Sequence, residues 1–362
     1  MVLTFVYGFG IMLVVKNKIN IIRRKNMKKF LSIALVVVMI ASIVCLVGCG
    51  NKEATTVKLG LGVSASYGEV KNADGDVNGE GEAVVDIAAV LVDAEGKIVK
   101  CVLDCADSKA QFTAKGKVVE AGEFKTKYEM LKDYNMVAYG NAKAEWYEQA
   151  DSFAALVAGK TIDEVKALVA EDGKGTEEVA NAGCTIYVSG FVKAIELAVA
   201  NATDSTATAE STLKLGVVTS QSGKDATEEA NGEAELATTV VASALDAEKK
   251  VVAASTDVAS VKFTFDLKGK STTDTTAALT TKKAAGADYG MAKYGQDLNG
   301  DGVVKEWDAQ AEAFNAALVG KDAAGISALA VETGYGAADL QSAGCTIHVG
   351  DMVKAAVKSA TV

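Results

Sequence analysis

The heptapeptide Ala182-Gly183-Cys184-Thr185-Ile186-Tyr187-Val188 returns near the C-terminus as Ala343-Gly344-Cys345-Thr346-Ile347-His348-Val349. Each copy closes a unit of roughly 150 residues, and a tandem duplication of that length asks one set of elements to form twice. The echo reaches upstream: Asn78 to Lys97 aligns without a gap to Asn231 to Lys250, sharing Asn-Gly-Glu-x-Glu at one end and Asp-Ala-Glu-x-Lys at the other. Val57-Lys58-Leu59-Gly60 is echoed in turn by Leu213-Lys214-Leu215-Gly216. The units are therefore set at 57–200 and 212–362, with a polar, Thr- and Ala-rich linker at 201–211.

Within each unit the hydrophobic period changes from two to about 3.6, so the expected class is α+β. Alternation from Val57 to Gly62 predicts a strand. The apolar run Ala83 to Val92, the turn Asp93-Ala94-Glu95-Gly96 and the alternation from Lys97 to Asp104 predict a β-hairpin, and a weak strand is expected over Gln111 to Val119. Thr126, Lys127, Asp133, Tyr134 and Met136 recur as Thr281, Lys282, Asp288, Tyr289 and Met291, with the repeated Lys and Asp either bridging or walling a pocket. A helix follows, its stripe Trp146, Ala150 and Phe153 matched by Trp307, Ala311 and Phe314 at i, i+4 and i+7. That stripe reads as core, with ligand stacking by either Trp the sharper alternative. The helix stops at Gly159 or Gly320. Thr161 and Glu164 then form a capping box, and Ser189 or Asp351 is expected to cap a last helix. The expected architecture is two tandem homologous domains, each an antiparallel sheet with a hairpin packed by three or so helices.

Charge locates the chain. Residues 1–48 carry seven basic residues and no acid, leaving 30 lysines against 47 acids, a net charge of −17, in the rest. Both arginines, Arg23 and Arg24, lie in that first part. An acidic body without a guanidinium repels nucleic acid and lacks the planar fork that best grips phosphate. Lys28 and Lys29 lead an apolar run from Phe30 to Val47 that ends at Leu46-Val47-Gly48-Cys49, a lipoprotein signal peptide with Cys49 as the acylated residue. Met27 is a plausible start, so 1–26 reads as upstream sequence, 27–48 as signal and 49–56 as lipidated tether. The expected location is the extracytoplasmic face of the cell membrane, held by the lipid. Of the remaining thiols, Cys101 and Cys105 are four residues apart on a strand, about 13 Å, too far to pair with each other, and read as small buried hydrophobes sharing a face with Val99 and Leu103.

The second unit gains six residues before its Trp helix, and the insertion reads as a calcium loop. Asp297, Asn299 and Asp301 supply oxygen at positions 1, 3 and 5, Gly302 permits the turn at 6, the Val303 carbonyl stands at 7, and Asp308 stands at 12. Asp in place of Glu at the twelfth position resembles dockerin modules. The alternative is an acidic solvated turn.

The closing motif is the second feature that could carry chemistry. A Gly-small-Thr turn ahead of a helix offers backbone N–H groups and a hydroxyl to an anion. With the hairpin before it, each unit resembles the FMN-binding domain family of extracytoplasmic lipoproteins and of flavin subunits of ion-pumping redox complexes. Gly183, Cys184 and Thr185, and Gly344, Cys345 and Thr346, take the places of that family's Gly-Ala-Thr. The family's flavin-esterified hydroxyl position holds Val188 and Val349, so the resemblance implies noncovalent FMN held by Thr185 or Thr346, or a flavin-free relative in which these residues only pack. Two roles follow: flavin-based electron transfer with a redox partner in the envelope, or a noncatalytic surface binding or scaffold lipoprotein. His348, the only His, has no nucleophile or acid beside it in sequence and reads as an ordinary side chain.

Overall fold

The architecture is that of a computed structural model describing residues 55–361 except 141, 295, 296, 298, 299 and 301. Cys49, the signal segment and the upstream residues lie outside the described residues. Among the described residues no helix is long and apolar enough to cross a membrane.

The protein is α+β, with two antiparallel sheets of four and three strands and a set of mostly short helices. The first half opens with a meander: β1 (Lys58–Lys71), β2 (Gly79–Val92), β3 (Ile98–Phe112) and β4 (Val118–Val119), in that spatial order. The second sheet is β5 (Thr212–Lys224), β6 (Gly232–Leu245) and β7 (Val251–Phe265). Two strands run further than their patterns suggest. β1 continues to Lys71 through an irregularity between Tyr67 and Val70, and β3 runs on into the start of the expected weak strand, taking Gln111 and Phe112, after which a turn lets Val118–Val119 fold back on those two residues. Both extensions pair polar or small residues with the long central strand, whose ladder supplies the hydrogen bonds that local pattern does not announce.

The sheets lie face to face. Leu59, Leu61 and Val63 of β1 and Val85, Ile87, Ala89 and Leu91 of β2 share a core with Leu213, Val217, Val240, Ala242 and Ala244 of the second sheet. At one end Phe112 stacks on Phe265 with ring centroids 4.4 Å apart. The opposite face of each sheet carries helices, so strand residues are buried on both sides; this is why Ile87 to Val92 is a continuous apolar run. The expected linker is part of this packing: Ala207 is fully buried, the Ser205 hydroxyl donates to the Val57 carbonyl at 2.6 Å and that of Thr206 to the Val252 carbonyl at 2.7 Å.

On the first sheet the helices are α1 (Lys127–Met130), α2 (Met136–Gly140), α3 (Trp146–Val157), α4 (Ile162–Lys166), α5 (Glu177–Asn181) and α6 (Ser189–Ala200), with a 3₁₀ turn over Leu131–Tyr134. The second half repeats the order as α7 (Lys282–Ala285), α8 (Met291–Tyr294), α9 (Trp307–Leu318), α10 (Ala323–Ser327), α11 (Ala338–Ser342) and α12 (Gly350–Ala360). Among the described residues, six α-helical segments in each half stand where three or so were expected, because most are single turns that pattern alone does not resolve. The Trp stripes are core: Trp146, Ala150 and Phe153, and Trp307, Ala311 and Phe314, are all buried against their sheets. The Thr161–Glu164 capping box forms. The last helices, however, begin at Ser189 and Gly350, earlier than caps at Ser189 and Asp351 would start them. Val188 and Val349 take the N-cap positions, and Ser189 and Asp351 lie in the first turn without capping it.

Glycine sets how closely α6 and α12 approach their edge strands. A Cβ on Gly60 or Gly62 would run into the carbonyl oxygens of Ala198 or Ala194, and one on Gly216 into that of Ala355. Gly216 pairs with Val241 as Gly62 pairs with Ala88, so its counterpart is Gly62, two residues beyond the simplest alignment of the Lys-Leu-Gly echo.

Candidate ligand-binding cleft

The closing motif is a tight turn: Gly183 and Gly344 hold φ of 101° and 96°, which side chains rarely tolerate. It delivers Thr185 and Thr346 to the same partner in each half. The Thr185 N–H and hydroxyl both donate to Gln149 Oε1, at 2.8 and 2.9 Å, and the Gln149 amide donates onward to the Ala144 carbonyl at 2.9 Å. Thr346 does the same with Gln310 Oε1, at 2.8 and 3.0 Å, and the Gln310 amide reaches the Lys305 carbonyl. Glu145, just before α3, fastens a further segment by accepting from the Met136 and Val137 N–H groups at 2.8 and 3.3 Å, and Glu306 accepts from Met291. Glu and Gln placed before and inside a Trp helix are the sequence signal for this clamp.

Beside the first motif, between β2, β3 and α6, opens a cleft of about 540 Å³. Its lining includes Asp86, Lys127, Tyr134, Trp146, Thr185 and Ser189. Thr185, the sequence-derived candidate, is thus at the cleft, whereas Asp86 escaped sequence reading. The signal for Asp86 is an acid inside the apolar run of β2, on the helix-facing side with Ala88 and Val90. Gly190 leaves room for it: a Cβ there would collide with Asp86 Oδ2. The carboxylate therefore sits against the first turn of α6, where the helix dipole favours an anion. Burial pushes the Asp86 carboxyl up from the ordinary aspartate range, opposed by a hydrogen bond from the Cys105 thiol and by the charge of Lys127. Lys127 pairs with Asp107 at 3.3 Å, not with Asp133, and stands 5.5 Å from the centre of the Tyr134 ring. Lys127 is therefore both a pocket wall and half of an ion pair, while its counterpart Lys282 stands over the Tyr289 and Trp307 rings.

Burial raises the thiols of Cys101, Cys105, Cys184 and Cys345, and a buried thiol is a poor nucleophile. Leu103 shares the helix-facing side with Cys101 and Cys105, while Val99 packs into the core between the sheets.

The residues do not fit FMN as the family resemblance places it. The donors of Thr185 and Thr346 are spent on Gln149 and Gln310. Val188 and Val349, at the attachment positions, are fully buried. The N-terminus of α6 that would face a phosphate already holds the Asp86 carboxylate. Gly183 and Gly344 serve the turn.

Of the calcium-loop residues, Asn299 and Asp301 lie outside the described residues. Asp297 accepts from the Gly300 and Gly302 N–H groups, both at 2.8 Å, Val303 is exposed, and Asp308 lies in the first turn of α9, accepting from Ala309 N–H. Among the described residues no three His, Cys, Asp or Glu side chains gather as a metal site. His348 packs on Tyr335, with ring centroids 3.9 Å apart. Comparison with protein families, with curated proteins and with solved structures found no match.

Proposed function

We propose that this chain is a lipid-anchored extracytoplasmic binding protein, built by duplication, that holds a small molecule noncovalently in the cleft of its first half. The observation that carries the reading is the composition of that cleft. A carboxylate, an ammonium, aliphatic hydroxyls and aromatic rings converge on one concavity, the mixture that fixes the orientation of a small ligand. Anchoring follows from the lipobox ending at Cys49, and duplication from the matched order of elements together with the repeated motif.

Flavin-based electron transfer, the other role drawn from sequence, lacks a phosphate site at either closing motif. The test is an absorption spectrum of the protein after incubation with excess FMN and gel filtration. A colourless protein is expected; a retained flavin band that Thr185→Ala or Thr346→Ala removes would restore the flavin reading and overturn this one.

A further inference from the structure

We propose that the first-half cleft selects a ligand carrying a protonated amine, its nitrogen seated on the Asp86 carboxylate and its carbon framework against Trp146 and Tyr134. The inference rests on the cleft being a binding site and names the chemistry of what it takes.

The argument is a charge inventory. Three charged groups govern the cleft, two carboxylates against one ammonium: Asp86 and Lys127 line it, and Asp107 stands behind Lys127. Lys127 has its counter-charge, at 3.3 Å. Asp86 is in no ion pair, for among the described residues no Lys nitrogen lies within ion-pair distance of it; its close partners are a thiol and the end of a helix, and Lys127, already paired with Asp107, acts on it only from farther off. The carboxylate is thus half-buried, faces the cleft and is short of one cation. An anionic ligand would meet it head-on, and a neutral one would bury it further without compensation. An ammonium supplies the missing charge and up to three donors.

The second half supports the same conclusion by contrast. The position of Asp86 is taken there by Thr239, and that of Gly190 by Asp351. Asp351 has its own cation, Lys354 at 2.9 Å. The acid at the helix end is neutralised within the second half and left open only where it faces the cleft.

Three probes of one shape separate charge from fit: benzylammonium, benzyl alcohol and benzoate, titrated calorimetrically into the full-length protein in detergent at 0.15 M NaCl. Benzylammonium is expected to bind at least about tenfold more tightly than benzyl alcohol, as a charge-assisted hydrogen bond implies, and benzoate most weakly. Asp86→Asn should bring benzylammonium down to the alcohol. Because the readout is a ratio within one variant, a change in overall stability does not imitate it. Ser189→Trp, which fills the cleft, should abolish binding of all three. Equal binding of the three probes, or a preference that survives Asp86→Asn, would overturn the amine assignment while leaving the cleft as a binding site. Binding unchanged in Ser189→Trp would place the site elsewhere, and no binding of any probe would remove the cleft itself; either result overturns both readings.

Discussion

Replacing Asp104 by Asn should remove a specific part of the pH dependence of stability. Asp104 lies on β3 with 7% of its surface exposed. Its Oδ1 accepts from its neighbour Cys105 N–H at 2.7 Å and from Tyr128 N–H at 3.2 Å, which fixes the start of α1 to the strand. Burial outweighs these bonds, and one from the Thr126 hydroxyl, so the carboxyl is pushed up to about 6 from 3.8. A folded-state value above the unfolded one means that the folded chain holds the proton more tightly. Stability from this group is therefore full in acid and falls as pH rises through the interval between the two values. The full loss is about 3 kcal/mol, of which about 2 falls between pH 4 and pH 7. Asn keeps an acceptor oxygen and has no charge, so urea unfolding followed by circular dichroism should give an Asp104→Asn minus wild-type difference that grows by about 2 kcal/mol from pH 4 to pH 7. Using the change in that difference cancels whatever the amide itself costs. Parallel pH curves for the two proteins would refute the reasoning, showing that the buried carboxylate is ionised at no cost. Asp257 in the second half is raised for the same first reason, burial, and should act in the same direction.

Gln149→Leu should destabilise the fold by about 1–3 kcal/mol, because the Thr185 N–H loses its acceptor, and Gln310→Leu should match it; equal unfolding midpoints for wild type and variants would show that the clamp contributes nothing. Gly190→Ala should be destabilising by about 1–3 kcal/mol through collision with Asp86 and should recover on adding Asp86→Thr, the residue found at that place in the second half; failure of the double variant to recover would assign the cost to something other than the collision. Calcium should raise the melting temperature relative to chelator, and Asp297→Ala should abolish the shift; no shift in the wild-type protein would sink the calcium loop.

Sequence carried the matched order of elements well because the two halves repeat each signal: the hairpin, the Trp stripe and the Thr161 capping box each stand where their patterns put them. It carried strand ends poorly. The continuation of β1 to Lys71 and of β3 to Phe112 depends on pairing with β2, a tertiary ladder that a polar segment such as Ser66 to Lys71 does not advertise. The packing of the sheets was hidden for a similar reason, since a strand apolar on both faces does not say which face meets helices and which meets another sheet. At the candidate site, Thr185 was legible from the Gly-x-Thr turn, but its partner was not. The Gln149 that consumes its donors lies 36 residues earlier. Asp86 was hidden inside an apolar run, and Gly190 has meaning only once the two are seen to meet.

The acid at the start of the last helix comes from a different layer in each half. In both halves a carboxylate stands in the first turn of the last helix, where it is favoured by the dipole. When the helix itself supplies it, as Asp351 does, the side chain can turn outward to Lys354 and the space above β6 is left to Thr239. When the strand supplies it, as with Asp86, the carboxylate must cross the gap between sheet and helix, and a glycine is needed to admit it. Any side chain in place of Gly190 would close that gap. Gly190 and Asp86 therefore act as one feature. They leave the first half a half-buried carboxylate outside any ion pair, a group that a cationic ligand would stabilise on binding.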